Sequence, residues 1–290
     1  MPELAEVEFF RRRWTVGEGQ RIRKVAVHGT KRLFRGVHTP GLVRVLTGAR
    51  MTGSAAHGKQ MLFRFSRQAW LGVHLGMTGE LRVEPPAFVP GKHDHLVLFL
   101  SRRALVFSDA RQFGRIRFHQ GAAEPEWWRN LPPAVNSRAF TLERMANYLT
   151  RHARAPLKAV LLAQDAFPGV GNWMADEILW RARLHPAQPA GRVPRNDVPM
   201  LWRAVRSVCR DALRLVAPDY ADPPASWLFR HRWEPGGRCP RHRVLLERDT
   251  VGGRTTAWCP RCQVDQEIPK NVRYGSARAS RSSSKPSSRR

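Results

Sequence analysis

The amino-acid sequence predicts an α+β multidomain fold, in which an antiparallel β domain precedes a helical domain and a small metal-binding hairpin. Three observations support this prediction: strand-like runs fill the first ~130 residues, helical periodicity replaces them afterwards, and three of the four cysteines cluster near the C-terminus. The length of 290 residues suggests about two domains of ~150 residues each, and 42% hydrophobic residues suffice for buried cores.

The N-terminal region begins with a short predicted helix and continues with strands. Four apolar residues recur near helical spacing at the start of the chain: Leu4, Val7, Phe10 and Trp14. Apolar runs with β character follow at residues 61–65, 96–100 and 104–107, and residues 115–118 alternate between charged and apolar side chains. Because glycine and proline separate these runs, we expect an antiparallel β domain, either a sandwich or a barrel.

The pattern becomes helical after residues 127–133, which are interpreted as a linker. Helices are predicted over residues 142–149, 157–164 and 200–216. Residues 168–171, with the sequence Pro-Gly-Val-Gly, indicate a turn. Asn172 is then predicted to cap a helix that runs to about Leu184.

The cysteine cluster has the spacing of a structural zinc site. Cys239 and His242 are separated by two residues, as are Cys259 and Cys262, and the gap between the pairs is long enough for a β-hairpin. This spacing predicts one tetrahedral Zn²⁺ bound by three thiolates and one imidazole. Cys209 stands alone in a helical pattern and is interpreted as a small buried apolar residue.

The charge of the chain indicates a polyanionic partner. Fifty lysines and arginines against 23 acidic residues give a formal net charge of +27, and nucleic acid is the commonest partner of such a protein. No run of ~18 apolar residues and no signal sequence is present, so we expect neither a membrane span nor secretion. The Ser-rich basic tail at residues 271–290 is predicted to be disordered, either as a solvated tail or as a nonspecific DNA-binding arm.

Five groups of motifs, in order along the chain, resemble the formamidopyrimidine-DNA glycosylase / endonuclease VIII family. They lie at residues 2–8, at 74–79, at 92–95 with 109–114, at 169–172 with 175–177, and at 253–256 with 258–263. Leu4 and the pair Arg111 and Phe113 are more similar to the formamidopyrimidine branch. The resemblance implies a catalytic β-sandwich at 1–130, a helix-two-turn-helix DNA-binding domain at 131–232, a β-hairpin zinc finger at 233–270 and the tail at 271–290. It also implies a monomer of the bacterial cytoplasm, associated with the nucleoid.

The resemblance implies a bifunctional enzyme that excises oxidised purines and then cleaves the strand at the abasic site. Removal of Met1 would expose Pro2, whose secondary amine attacks C1′ of the sugar and forms an iminium. An α-amino group titrates at roughly 7.7–8.0, far below a lysine side chain. Glu3 is the expected acid and base for sugar-ring opening, and β,δ-elimination then breaks both phosphate bonds.

The resemblance also assigns DNA contacts in a duplex from which the damaged nucleotide is extruded. The hole left in the stack would be filled by Met77, Arg111 and Phe113. The phosphates would be bound by Lys59, His74, Asn172 and Arg254, of which Lys59 and Arg254 belong to the catalytic set. His93 and Lys158 match positions near the damaged nucleotide or its phosphates, and Glu177 is expected to be structural.

Three departures from the family pattern bear on these expectations. Ala5 stands where the family usually has proline, His242 replaces a usual cysteine, and the segment 216–233 is shortened where the formamidopyrimidine branch closes a loop over 8-oxoguanine. Two alternatives stay open: an endonuclease VIII-like enzyme for oxidised pyrimidines, and a noncatalytic zinc-finger protein that binds damaged double-stranded DNA.

Overall fold

Two four-stranded antiparallel sheets form a β-sandwich in the computed structural model of this protein, which describes residues 1–264. The strand orders are β1-β6-β7-β5 and β2-β3-β4-β8. The eight strands are β1 (Lys24–Val27), β2 (Met51–His57), β3 (Gln60–Phe65), β4 (Ala69–His74), β5 (Glu80–Glu84), β6 (Asp94–Phe99), β7 (Ala104–Ser108) and β8 (Arg115–Gln120). The antiparallel β domain is therefore confirmed, and of the two predicted forms it is the sandwich.

Helix α1 (Leu4–Trp14) connects the two large hydrophobic cores of the protein. Val7, Phe10 and Trp14 are buried in the core of the sandwich, whereas Ala5 is buried in the core of the helical domain. The chain therefore places its N-terminus at the junction between both domains. A second helix in this region, α2 (Thr39–Leu46), was not predicted from the sequence.

Five helices follow the sandwich, and their bounds correct three predictions. They are α3 (Glu126–Arg129), α4 (Leu142–Arg151), α5 (Leu157–Leu161), α6 (Asn172–Ala182) and α7 (Val198–Leu215). Helix α3 covers the first three residues of the predicted linker, and α5 ends three residues earlier than expected. The N-cap of α6 is Gly171, so Asn172 is the first residue of the helix and not its cap.

A two-stranded hairpin, β9 (Glu247–Val251) and β10 (Arg254–Trp258), completes the described chain. Gly252 and Gly253 form its turn with φ of 60° and 72°, the left-handed region that glycine adopts without strain. Across residues 1–264, the helices are too short or too polar to cross a bilayer. The tail predicted at residues 271–290 and the end of the predicted zinc finger lie outside the described residues.

Candidate active site and nucleic-acid interface

The carboxylate of Glu3 lies at the N-terminus of α6. Its two oxygens accept hydrogen bonds from the backbone N–H groups of Trp173 at 3.1 Å and Met174 at 3.2 Å, and the side chain is only 3% exposed. Glu3 thus satisfies donors that a helix cannot satisfy within its own first turn. Gly171 is required here because a Cβ at this position would overlap the Glu3 carboxyl group.

Glu6, in the first turn of α1, also contacts the first turn of α6. Its carboxylate accepts the backbone N–H of Glu3 at 3.1 Å, which completes a capping box, and the indole N–H of Trp173 at 2.9 Å. Leu4 donates its backbone N–H to the carbonyl of Gly169 at 3.0 Å. These contacts fix the backbone on either side of Glu3, and with it the position of Pro2.

Burial and the negative charge of the neighbouring Glu6 raise the pKa of Glu3. Desolvation, followed by the neighbouring Glu6 carboxylate, raises the pKa of Glu3 to about 7, although Lys59 and the two backbone N–H donors act in the opposite direction. Desolvation lowers the pKa of Lys59, an effect that the Glu3 carboxylate opposes and the Arg254 cation reinforces. A carboxyl group of this kind can hold or release a proton near neutral pH.

Lys59 and His74 lie side by side at one end of the sheet that contains β3 and β4. Lys59 stands in the turn between β2 and β3, and the adjacent Gln60 pairs with His74. The Nδ1 atom of His74 accepts the backbone N–H of Gly76 at 3.1 Å, which leaves Nε2 to carry the proton. Desolvation and the charges of Lys59, Arg117 and Arg115 lower the pKa of His74 and favour its neutral form.

A cavity of about 380 Å³ opens beside the N-terminus. Its lining includes Pro2 and Met77, together with three aromatic residues from the segment 216–233: Tyr220, Phe229 and Trp233. The Phe229 ring contacts the ring of Trp233 with a centroid distance of 5.2 Å. Glu177, which is fully buried, fixes this segment because its carboxylate accepts the backbone N–H of Leu228 at 2.7 Å. The segment 216–233 therefore forms one wall of the cavity.

The three residues predicted to fill the DNA stack lie on two adjoining loops. Asp109 joins these loops by accepting the hydroxyl of Thr78 at 2.9 Å and the backbone N–H groups of Arg111 at 3.2 Å and Gly114 at 2.7 Å. The Arg111 guanidinium lies 4.9 Å from the centre of the Phe113 ring. Met77 and Phe113 are 37% and 48% exposed, so neither is a core residue.

The backbone of His93 is hydrogen-bonded to the loop that carries Arg111 and Phe113. It precedes β6, and its carbonyl accepts the backbone N–H of Asp109 at 3.0 Å. Its imidazole is half-buried. The structure thus places His93 next to the stack-filling residues.

Lys158 occupies a different environment from the one predicted. Its Nζ atom is fully buried, 2.7 Å from Asp176 Oδ1, and donates to Thr256 Oγ1 at 2.8 Å. The other oxygen of Asp176 accepts from Arg232 at 2.6 Å. The ammonium therefore ties α5 to α6 and β10, and a direct contact with the damaged nucleotide does not fit this burial.

Asn172 and Arg254 meet at the hairpin. The side-chain amide of Asn172 donates to the carbonyl of Thr255 at 3.0 Å, next to the exposed Arg254 at the start of β10. The turn of the hairpin packs on α5, because a Cβ at Gly252 would lie 2.8 Å from the Cβ of Ala159. The Arg254 cation lies close enough to Lys59 to lower the pKa of that ammonium.

The predicted metal ligands come together at the base of the hairpin. The ligand atoms of Cys239, His242, Cys259 and Cys262 all lie within 4.8 Å of one another, with the two sulfurs of Cys239 and Cys262 4.0 Å apart. These separations suit one tetrahedral ion with Zn–S bonds of roughly 2.3 Å. Trp180 donates its indole N–H to the Cys239 sulfur at 3.4 Å. The group of four could therefore hold one metal ion.

Asp176, Arg232 and Asp109 organise the site, yet sequence reasoning gave them no role. A signal for Asp176 exists: α6 is apolar on most sides, and an acid in such a helix is normally paired. Its cationic partner Arg232 lies 56 positions further on. Nothing in the spacing of the chain identifies that pair.

The fold and the site together define a class of protein: a β-sandwich with a buried acid, Glu3, next to Pro2, joined to a helical domain and a hairpin with a Cys₃His cluster. The Formamidopyrimidine-DNA glycosylase N-terminal domain family matches residues 1–116, and the Formamidopyrimidine-DNA glycosylase H2TH domain family matches residues 131–219. The chain belongs to the formamidopyrimidine-DNA glycosylase family, as the sequence motifs predicted.

Relatives and solved structures agree with this assignment over most of the chain. The formamidopyrimidine-DNA glycosylases of Novosphingobium aromaticivorans and Thermus thermophilus are each 36% identical to it, over 91% of this chain and 100% and 98% of theirs. The structure of Lactococcus lactis Fpg with DNA containing an abasic site has 25% identity and a TM-score of 0.81. The structure of MutM with DNA containing carbocyclic 8-oxo-G has 26% identity and a TM-score of 0.81. Both matches cover 91% of this chain and 100% of the other.

Proposed function

We propose that this protein is a bifunctional DNA glycosylase and abasic-site lyase of base excision repair that removes oxidised purines, including 8-oxoguanine and formamidopyrimidines. The observation that carries the proposal is the position of Glu3, buried at the N-terminus of α6 next to Pro2 and Lys59 and beside the cavity. The relatives named formamidopyrimidine-DNA glycosylase and the MutM complex with an 8-oxo-G analogue support the same substrate class.

The chemistry begins with the extruded nucleotide, whose base enters the cavity. After removal of Met1, the amine of Pro2 bonds to C1′ as the bond to the base breaks, and the proton lost by the amine leaves with the base. Glu3 delivers its own proton to the ring oxygen as the C1′–O4′ bond breaks, which gives the iminium. The resulting iminium acidifies C2′, so loss of that proton expels the 3′ phosphate. A second elimination expels the 5′ phosphate.

Four groups around the nucleophile are assigned to the phosphates of the damaged strand: Lys59, His74, Asn172 and Arg254. Their placement supports this role, since Lys59 and His74 lie near Glu3, and Asn172 and Arg254 lie at the hairpin and the helix that it contacts. We assign Met77, Arg111 and Phe113 to the gap in the base stack. A structural Zn²⁺ bound by Cys239, His242, Cys259 and Cys262 would keep the hairpin, and therefore Arg254, in place.

The formal charge of +27 supports double-stranded DNA as the partner. We propose that the protein acts as a monomer on nucleoid DNA in the bacterial cytoplasm. We also propose the domain division 1–130, 131–232 and 233–270.

The test is borohydride trapping on a duplex with a single abasic site, using protein whose mature N-terminus has been verified by mass spectrometry. We expect a covalent adduct for the wild type and none for Pro2→Gly. A lesion panel then compares 8-oxoguanine with thymine glycol. An adduct with excision of thymine glycol alone would replace the purine assignment by an oxidised-pyrimidine one, whereas tight binding without any adduct would identify a noncatalytic protein.

A further inference from the structure

A row of basic side chains continues from Lys59 across the end of the sheet to its edge. His74 on β4 pairs with Arg115 on β8, and Gly72 pairs with Arg117. Because side chains two residues apart in a strand share a face, Arg115 and Arg117 lie on the same face of β8. The strand β8 is the last strand of its sheet, so this row ends at the border of the sheet.

The two arginines of β8 have no acidic partner among residues 1–264. Arg117 instead lies over the ring of Trp127, with its guanidinium carbon 5.0 Å from the ring centre. Gly72 makes room for that ring, since a Cβ at this position would overlap it. The charge of Arg115 adds to desolvation in lowering the pKa of Arg117, so the row holds like charges together without compensation.

We propose that Arg115 and Arg117 bind backbone phosphates of the DNA that flanks the lesion, beyond the phosphates assigned to Lys59 and His74. From β3 to β8 is two strand spacings, roughly 10 Å, and one DNA strand carries a phosphate every ~3.4 Å of helix axis. The row is therefore longer than the axial rise between neighbouring phosphates of one strand and can reach beyond the phosphate at Lys59. Trp127 positions Arg117 for this contact. This inference rests on the proposed function, because it requires damaged DNA to lie on the Lys59 side of the sandwich.

The first test measures binding to a duplex with a tetrahydrofuran abasic analogue between 50 and 200 mM salt. Each phosphate contact contributes a slope of about −0.9 in log K against log salt, equivalent to roughly a 3.5-fold change in affinity over this range. For the double variant Arg115→Gln/Arg117→Gln we expect the fall in affinity across this range to be about tenfold smaller than for the wild type. The matched control is Arg102→Gln/Arg103→Gln, an exposed pair in the turn between β6 and β7, at the opposite end of these strands from Asp109.

The second test locates the contact with duplexes in which single phosphates are replaced by neutral methylphosphonates. A methylphosphonate at the contacted position should weaken the wild type but leave the double variant unaffected. If the double variant keeps the full salt slope while Lys59→Met loses affinity, this inference is overturned and the proposed function stands. If the wild type itself does not distinguish abasic-analogue DNA from undamaged DNA, the proposed function fails and takes this inference with it.

Discussion

The carboxylate of Glu3 lies 3.1 Å from the backbone nitrogen of Trp173, 170 residues further along the chain. The N-terminus of a helix favours a negative charge, so this contact alone would lower the pKa of the acid. Desolvation and Glu6 outweigh it, and the net result is a pKa of about 7. Glu3 is thereby fixed in space without being fixed in one protonation state.

We expect Glu3→Gln to reduce base excision by at least about 100-fold, because a positioned acid typically contributes this much. In the wild type, the single-turnover excision rate should decline as pH rises through about 7, where Glu3 loses its proton. Glu6→Gln is the informative second variant: it removes a charge that raises the pKa of Glu3, so the decline should move to lower pH. An unchanged profile in Glu6→Gln would contradict the assignment of this pH dependence to Glu3.

The raised pKa of Glu3 also predicts how the free energy of unfolding depends on pH. The pKa of Glu3 is raised from 4.5 to about 7 on folding, so the native state binds more protons than the unfolded state between these pH values, and stability falls as pH rises through this window. Glu3→Gln abolishes this pH dependence, so its stability relative to the wild type should rise by about 3 kcal/mol between pH 4 and pH 8. A pH-independent loss adds to this difference, because the Gln amide nitrogen faces one of the two backbone N–H donors that the Glu3 oxygens accept. Urea unfolding at the two pH values measures the difference, and a gap independent of pH would contradict this account.

The buried ion pair of Lys158 and Asp176 predicts unequal effects of removing its two members. Asp176→Asn leaves the cations of Lys158 and Arg232 buried without a counter-charge and should cost about 3–5 kcal/mol in the free energy of unfolding. Lys158→Met leaves Asp176 paired with Arg232 and should cost only about 1–2 kcal/mol. The salt slope of DNA binding should be the same in Lys158→Met as in the wild type. A loss of about 0.9 in that slope would instead support a phosphate contact by Lys158.

Local patterns in the sequence predicted the elements that depend on local physics. Helix α1 follows from the spacing of its apolar residues, β8 from its alternation, and the metal cluster from two short Cys-containing motifs. Arg111 and Phe113 lie on a loop beside the loop of Met77, as expected if they act together.

The relationships missed by sequence reasoning are those made between distant segments. The sequence favoured Asn172 as the N-cap of α6, because its side chain is typical of that position. In the structure the N-cap is Gly171, and the side chain of Glu3 accepts the N–H groups at the start of the helix. Lys158 was expected near the DNA because it matches a family position there, but its side chain is buried, where Asp176 compensates its charge. Neither partner can be read from a periodic pattern.

Metal removal should uncouple the hairpin from the helical domain. Chelation, or His242→Ala, should release the metal and lower the affinity for abasic-analogue DNA, since Arg254 would no longer be held in place. His242→Cys supplies a thiolate at the same position and should retain the metal and the affinity. Near-ultraviolet circular dichroism, to which Trp180 beside Cys239 contributes, reports the loss of local structure. Unchanged affinity after verified metal loss would contradict the proposed role.

From the aromatic residues that line the cavity, we predict that a mutation can lower base excision without lowering strand cleavage at an abasic site. Trp233 is 50% exposed and lies 4.5 Å from the Arg232 guanidinium carbon, so Trp233→Ala should fold normally. Stacking on an extruded base is worth about 1–3 kcal/mol, and we therefore expect kcat/KM for excision of 8-oxoguanine to fall about tenfold or more. Strand cleavage at a preformed abasic site should change less than about twofold, because no base occupies the cavity there.

The matched control for that separation is Trp202→Phe, which alters a half-buried tryptophan on α7 that donates to the carbonyl of Phe140. Both activities should be retained in this variant. If Trp233→Ala lowers excision and abasic-site cleavage equally, the wall affects the Pro2–Glu3 junction rather than the base. The cavity would then not be the base-binding pocket, and the segment 216–233 would have no part in the choice of lesion.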